Sequence, residues 1–297
     1  MAMRFDHYVI TRFNIPTDFG PSLLYMGDGI RSERVITDET YLQQRFDLFE
    51  KTLWRCMRNQ TCQDVIWLCF FYRHTPRRFL ERIERYRSEC EQFRPVFLDD
   101  SEAPRFKEIV QAEIQKGDAD YVLSTRVDND DLIRHDFIKR LQKTAQKAEA
   151  YADQGIFLTF ESGLQYVEQL RILFRMNYRN NHFVSYLSAK GSDISVWTPM
   201  HTEIHKYGKV HCIRTAVPMW VEYCHTSNYI NRTKYLFSNY FWDYGEMRRC
   251  AAEYRLETVP DRARYYGMLA LRMAASPFVY AWRALKIARV LVLRLKK

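Results

Sequence analysis

The chain has 297 residues, 47% hydrophobic and 15% aromatic, with only 10 Gly and 9 Pro. That is enough to bury a substantial core, and it excludes collagen-like, low-complexity and disordered classes. The net charge of +9 invites a nucleic-acid partner, but from Asp261 onward nine cations face that single acid, so eight of the nine net charges sit in the tail and no nucleic-acid groove is expected on the core.

Asp6 to Phe13 reads as a buried first strand ending at Asn14, followed by a loop with Pro16, Gly20, Pro21, Gly27 and Gly29. Leu42, Phe46, Phe49, Leu53 and Met57 recur at helical spacing, so a helix is expected over Tyr41 to Met57, with Thr37 and Asp38 as caps. Val65 to Tyr72 is a second apolar strand, and Thr75-Pro76 opens a helix with Thr75 as its cap. Pro95 to Leu98 is a short third strand. Pro104 to Lys116 is helical and stops at Gly117. Tyr121 to Arg126 is a fourth strand, and a long helix is expected from Asp131 to Tyr151.

Four strands alternating with helices imply a parallel sheet covered on both faces, with a mixed or antiparallel second half. The expected domains are 1–260 for the α/β body and 261–297 for a basic amphipathic helical tail. Ligands of such sheets collect at the carboxyl ends of the strands, where Asn14, Tyr72, Asp99, Asp100 and the turn Asp128-Asn129-Asp130-Asp131 fall.

Three carboxylates within four residues repel one another unless a cation neutralises them. Mg²⁺ or Mn²⁺ takes one or two carboxylates and completes its shell with phosphate oxygens and water. The same metal would make a diphosphate a good leaving group. Asp128 and Asp130 are the expected metal pair, and Asp131 a helix cap. The seven cysteines form no Cys-x-x-Cys pair, so buried free thiols in a reducing compartment are expected and zinc is not.

Phe5 to Ile15 (FDHYVITRFNI), Phe46 to Gln60, Trp67 to Pro76 and Ser124 to Asp131 resemble the bacterial "putative rhamnosyl transferase" family, related to inverting GT-A glycosyltransferases of the family 2 type. The likeness covers most of residues 5 to 140 and returns at His201 to Val210 and Pro218 to Arg232. It implies a GT-A-like, Rossmann-like nucleotide-diphospho-sugar transferase fold, a nucleotide-sugar donor and a divalent metal. By position, Asp128 and Asp130 match the DxD pair. Arg12, Asn14, Arg126 and Asn129 would lie beside the donor, and His201 and His225 would bond its diphosphate or sugar. The chain departs from the family pattern at Tyr72-Arg73-His74, at Ser188 and at Thr226-Ser227.

The reaction expected is metal-dependent hexosyl transfer, with rhamnose suggested by the family label, to an acceptor hydroxyl of a cell-surface glycan or lipid-linked glycan. An inverting transfer needs a base. Glu203 is the first candidate, followed by Asp193, with Glu222 also considered. Trp197, Trp220 and Trp242 are candidates to stack on a sugar. Alternatives on the same fold are a nucleotidyltransferase and a non-catalytic membrane-attached binding protein. In the tail, Ile287, Ala288, Leu291, Val292 and Leu295 share one helical face, with Arg283, Lys286, Arg289, Lys296 and Lys297 mostly opposite. That pattern suits an anionic membrane surface. No signal peptide or membrane span is read from the sequence, so the expected location is cytoplasmic, peripheral on the inner face of the membrane.

Overall fold

The computed structural model describes residues 3–16, 36–225 and 239–295. The chain divides into two compact units, one of Met1–Gly163 with Asn177–Glu222 and the other of Leu164–Met176 with Tyr223–Lys297.

The first unit is mixed α/β around one seven-stranded sheet. Its strands are β1 (Phe5–Arg12), β2 (Ile66–Tyr72), β3 (Phe93–Leu98), β4 (Tyr121–Arg126), β6 (Ile156–Phe160), β9 (Val184–Ala189) and β10 (Lys209–Ile213), in the order β10-β6-β9-β4-β1-β2-β3. The pairs β1–β2, β2–β3 and β1–β4 are parallel, whereas β9 runs antiparallel between β4 and β6. The expected mostly parallel sheet with a mixed second half is what forms. The short strand β5 (Leu132–Ile133) pairs outside this sheet, antiparallel to Val221 and Trp220 of β11 (Trp220–Cys224).

Helix α1 (Glu39–Phe49) starts where Asp38 accepts the Tyr41 amide at 2.8 Å, the capping bond the sequence suggested. It runs on through a π-helical turn (Glu50–Trp54) into Arg55–Arg58. Helix α2 (Arg77–Glu89) follows Pro76, but Thr75 does not cap it: its hydroxyl donates to Tyr72 O at 2.6 Å and accepts from Asn14. The apolar faces of both helices meet the sheet in an aromatic cluster. Phe13, Phe46, Phe49, Trp54, Trp67, Phe71, Phe79, Tyr86 and Phe93 are all buried, with ring centroids such as Phe13–Phe46 at 4.5 Å and Trp54–Tyr86 at 4.5 Å. Each such side chain contributes about 1.5–3 kcal/mol through burial.

On the opposite face, α3 (Phe106–Ile114) lays Phe106, Val110 and Ile114 against Ile10, Leu68 and Phe70. The long helix expected from Asp131 does not form. Residues 132–133 are β5, and α4 begins only at Phe137 and ends at Lys147. The cause is tertiary: Leu132 and Ile133 are buried and bonded to β11, and Arg134 N donates to Met219 O at 2.9 Å.

Strands β7 (Ser162–Val167) and β8 (Ile172–Asn177) follow β6 along the chain. In the second unit, Tyr223 donates to Glu168 at 2.7 Å and Tyr166 to Glu257 O at 2.8 Å. Helices α5 (Tyr244–Glu253) and α6 (Arg262–Leu295) complete it. α6 contains Pro277 and exposes Leu271 and Phe278. All side chains beyond residue 281, including the apolar and basic faces expected of the tail, lie outside the described residues, as do Thr226 and Ser227. No described helix is long and apolar enough to cross a membrane. All seven cysteines are free thiols.

Candidate active site

β4 delivers Arg126 to the carboxyl edge of the sheet, where the chain must turn. Val127 N still reaches Ile10 O at 3.2 Å, and Asp131 N closes the turn on Asp128 O at 3.3 Å. Asn129 pins this turn to the end of β1: its amide donates to Arg12 O at 3.0 Å and Phe13 O at 3.1 Å. From α1, Arg45 donates to Asn129 Oδ1 and pairs with Asp130 Oδ2 at 3.1 Å, both charged side chains being only 12% exposed. Burial opposes that guanidinium's charge, but Asp130 holds it protonated.

Asp131 is buried, 1% exposed, and its Oδ2 lies 2.7 Å from Nε2 of His182. His182 comes from the loop before β9, the strand beside β4. Burial works against a charged imidazole, yet Asp131 and then Asp128 and Glu222 raise its pKa to about 9. Burial also raises Asp131, with His182 opposing. Asp128 is half-buried and 3.3 Å from Arg126. Burial acts against its ionisation, but Arg126 and His182 prevail and hold it below the usual carboxylate range.

Trp197 forms a second wall. The Arg126 guanidinium stands 4.1 Å from its ring centroid and that of Arg12 5.4 Å away. His201 packs beside His182, ring centroids 6.1 Å apart. Burial, then the positive charges of His182 and Arg126, lower its pKa to about 4, so it is neutral. Its Nδ1 and the Trp197 Nε1 are buried without a hydrogen-bond partner among the described residues.

Arg12, Arg126, Asp128, Asn129 and His201 therefore lie together at this edge of the sheet. Asn14 is beside them but fully engaged, donating to Ile36 O at 3.2 Å and Thr75 at 3.0 Å and accepting from the Tyr72 amide at 3.2 Å. Asp99 folds over its own turn toward Ser101 and Glu102, and Asp100 accepts from Tyr72 at 2.5 Å. Glu203 lies in a 3₁₀ turn (His201–Lys206), paired with Lys206 at 2.5 Å with its side chain 45% exposed. Asp193 is exposed. His225, at the end of β11 in the second unit, is buried near Tyr223. Trp220 is core, stacked on Phe183 at 4.8 Å, and Trp242 is exposed.

The expectation that Asp131 caps a helix is corrected, because it faces His182 and no helix starts there. Sequence reasoning missed His182 and Arg45 altogether. Neither stands in a spacing motif, and only the strand order brings them to the turn.

Oxygens of Asp128 and Asp131 and a nitrogen of His182 all lie within 4.8 Å of one another. Two carboxylates and an imidazole suit a divalent cation, with open positions for phosphate oxygens and water. The unpartnered His201 Nδ1 supports the same reading, since a buried polar atom without a partner awaits one.

Residues 6–235 match the family described as "Putative rhamnosyl transferase". No curated protein matches the chain. Among solved structures, Staphylococcus aureus TarS 1–349 in complex with UDP-GlcNAc aligns at TM-score 0.44 and 10% identity, over 88% of this chain and 69% of that one. A protein from Desulfovibrio desulfuricans G20 described as a "putative nucleotide-diphospho-sugar transferase" aligns at TM-score 0.32 and 10% identity, over 74% and 82%. HddC from Yersinia pseudotuberculosis aligns at TM-score 0.32 and 10% identity, over 71% and 90%. Against two other TarS structures, the chain spans 60% and 37% of the solved protein.

Proposed function

The chain belongs to the "Putative rhamnosyl transferase" family, a family of glycosyltransferases, and we propose that it moves a sugar from a nucleotide-sugar donor to an acceptor hydroxyl with a divalent cation bound at the acidic turn. The observation that carries this reading is the meeting of Asp128, Asp131 and His182 at the carboxyl end of β4, walled by Arg12, Arg126 and Trp197. Acidic ligands for a cation beside two guanidinium groups suit a diphosphate better than any neutral ligand.

In the reaction the acceptor oxygen bonds to the anomeric carbon as the bond from that carbon to the diphosphate oxygen breaks. The nucleoside diphosphate leaves with the electron pair, and the hydroxyl proton passes to a base. A divalent cation such as Mn²⁺ or Mg²⁺, held by Asp128, Asp131 and His182, would stabilise the charge that develops on the leaving diphosphate. Arg12 and Arg126 hold its oxygens, and neutral His201 bonds one of them. Attack from the face opposite the leaving group inverts the anomeric centre. A carboxylate on the acceptor side takes the proton. Glu203 is spent on Lys206 and Asp193 lies in the open. Rhamnose is the sugar suggested by the family's description. A glycan carried on a lipid at an anionic membrane surface, bound through α6, is the proposed acceptor.

Thermal-shift titration of a panel of nucleotide sugars, with and without Mn²⁺, tests the reading. A donor at 100 times its Kd stabilises the protein by about 2.7 kcal/mol. We expect a shift that needs the metal and is lost in Asp128→Asn. A panel that shifts nothing, or a shift indifferent to Asp128→Asn, would sink it.

A further inference from the structure

We infer that the outward face of α6 between Gly267 and Ala281, together with Trp242, inserts into the boundary between headgroups and acyl chains of an anionic bilayer. The inference rests on the membrane-surface reading above. It adds an apolar contact, upstream of the basic tail, to the electrostatic one.

The inner face of α6 builds the second unit. Tyr265 and Leu269 are buried there, with the Tyr265 hydroxyl donating to Phe241 O at 2.5 Å and its ring 5.3 Å from that of Tyr244. A helix that packs on one side ordinarily presents charged side chains to water on the other. The outer face of α6 does the opposite. From Gly267 to Ala281 the sequence holds one charged residue, Arg272. That side chain turns inward, its guanidinium 5.6 Å from the ring centroid of Phe174 and its Nη1 buried. Among the described side chains of this stretch, every exposed one is Gly, Ala, Pro, Leu or Phe. Gly267, Leu271, Ala274, Phe278 and Ala281 follow one another at steps of three and four, so they share one face. Leu271 is 73% exposed and Phe278 78%. The stripe is about 20 Å long at the rise of an α-helix. Near its start Tyr266 donates to Trp242 O at 3.2 Å, and Trp242 is itself 56% exposed.

A contiguous apolar patch on a surface marks a place of contact. Charge decides what makes that contact. Arg262 and Arg264 are exposed just before the stripe. Arg283 and Lys286 follow it in the sequence, and no acid occurs after Asp261. A second copy of this chain would bring like charges together and be repelled. An anionic bilayer attracts the cations while its interface takes up the Leu, Phe and Trp side chains. Indole suits that depth, since its ring is apolar and its N–H finds a partner among the headgroups. No described helix is long and apolar enough to cross a membrane, so the stripe lies in the plane of the surface.

The test is flotation of the full chain with vesicles of mixed phosphatidylserine and phosphatidylcholine. The double variant Leu271→Gln/Phe278→Gln keeps the net charge and changes only exposed positions. It should lower partitioning at least about tenfold, with a thermal melt in the absence of vesicles equal to that of wild type. Phosphatidylcholine brominated along its acyl chains, mixed with phosphatidylserine, should quench the tryptophan fluorescence of wild type more than that of Trp242→Phe. Equal partitioning of double variant and wild type, or equal quenching with and without Trp242, overturns insertion and leaves attraction through the basic tail standing. Wild-type protein that does not float overturns insertion and the membrane reading together. A wild-type dimer in analytical sedimentation that the double variant converts to a monomer overturns insertion in favour of a second copy.

Discussion

Charge at single residues follows from what each is buried against. His7 lies in β1 with Nε2 2.8 Å from Thr125 and Nδ1 3.3 Å from Gln142. No acid among the described residues compensates it, and burial lowers its pKa to about 3. The unfolded chain, with an ordinary histidine, takes up a proton that the folded chain refuses. The associated stability is therefore complete above about pH 6.5 and is lost as pH falls from there toward 3, by up to about 1.4 kcal/mol per unit. We expect thermal melts of wild type to drop more steeply between pH 6.5 and 4.5 than those of His7→Gln, and equal slopes would refute the assignment. His182 shows the contrary case. It is buried too, yet Asp131 raises it. Nothing in the local sequence distinguishes these two histidines, because the partner that decides each charge comes from another strand.

Elements form where local signals agree with packing, and fail to form where packing disagrees. Asp38 caps α1 as its sequence indicates, so Asp38→Ala should cost about 1 kcal/mol in denaturant unfolding. The segment after the acidic turn carries a helical pattern, but Leu132 and Ile133 pair with β11 instead and delay the helix to Phe137. Close packing also fixes Gly163. A Cβ there would lie 2.2 Å from the buried Trp220 ring, which is stacked on Phe183 and bonded to Phe160 O at 2.8 Å. Gly163→Ala should destabilise the protein by about 1–3 kcal/mol, measured by urea unfolding. A neutral result would mean that the Trp220 ring can move aside. The strands β1 to β4 were legible as apolar runs because a parallel sheet buries both faces. β9 was harder to place, since its partners β4 and β6 are distant in sequence.

For the whole molecule, the uneven distribution of charge carries the consequence. Eight of nine net positive charges lie from residue 261 onward, and a helix runs from Arg262 to Leu295. Each Lys or Arg near an anionic bilayer is worth about 1 kcal/mol. We expect the protein to cosediment with phosphatidylserine vesicles and not with phosphatidylcholine vesicles. Salt should weaken the binding, and replacing Arg289, Arg294, Lys296 and Lys297 by Gln should abolish it; equal binding to both lipids would contradict the electrostatic account. The sequence by itself determined the alternating α/β body, the sheet edge where ligands gather, the acidic turn and the basic tail. Each of these is written in neighbouring residues, as periodicity, as a strand end or as a run of like charge. Tertiary structure alone decided which carboxylates of the turn face one another. Arg45, 84 residues before Asn129, takes hold of Asn129 and Asp130, while His182, 51 residues after Asp131, meets the acid that the sequence offered only as a cap. Pairings over such separations depend on strand order, and strand order minimises exposed apolar area across the entire sheet rather than within any one segment.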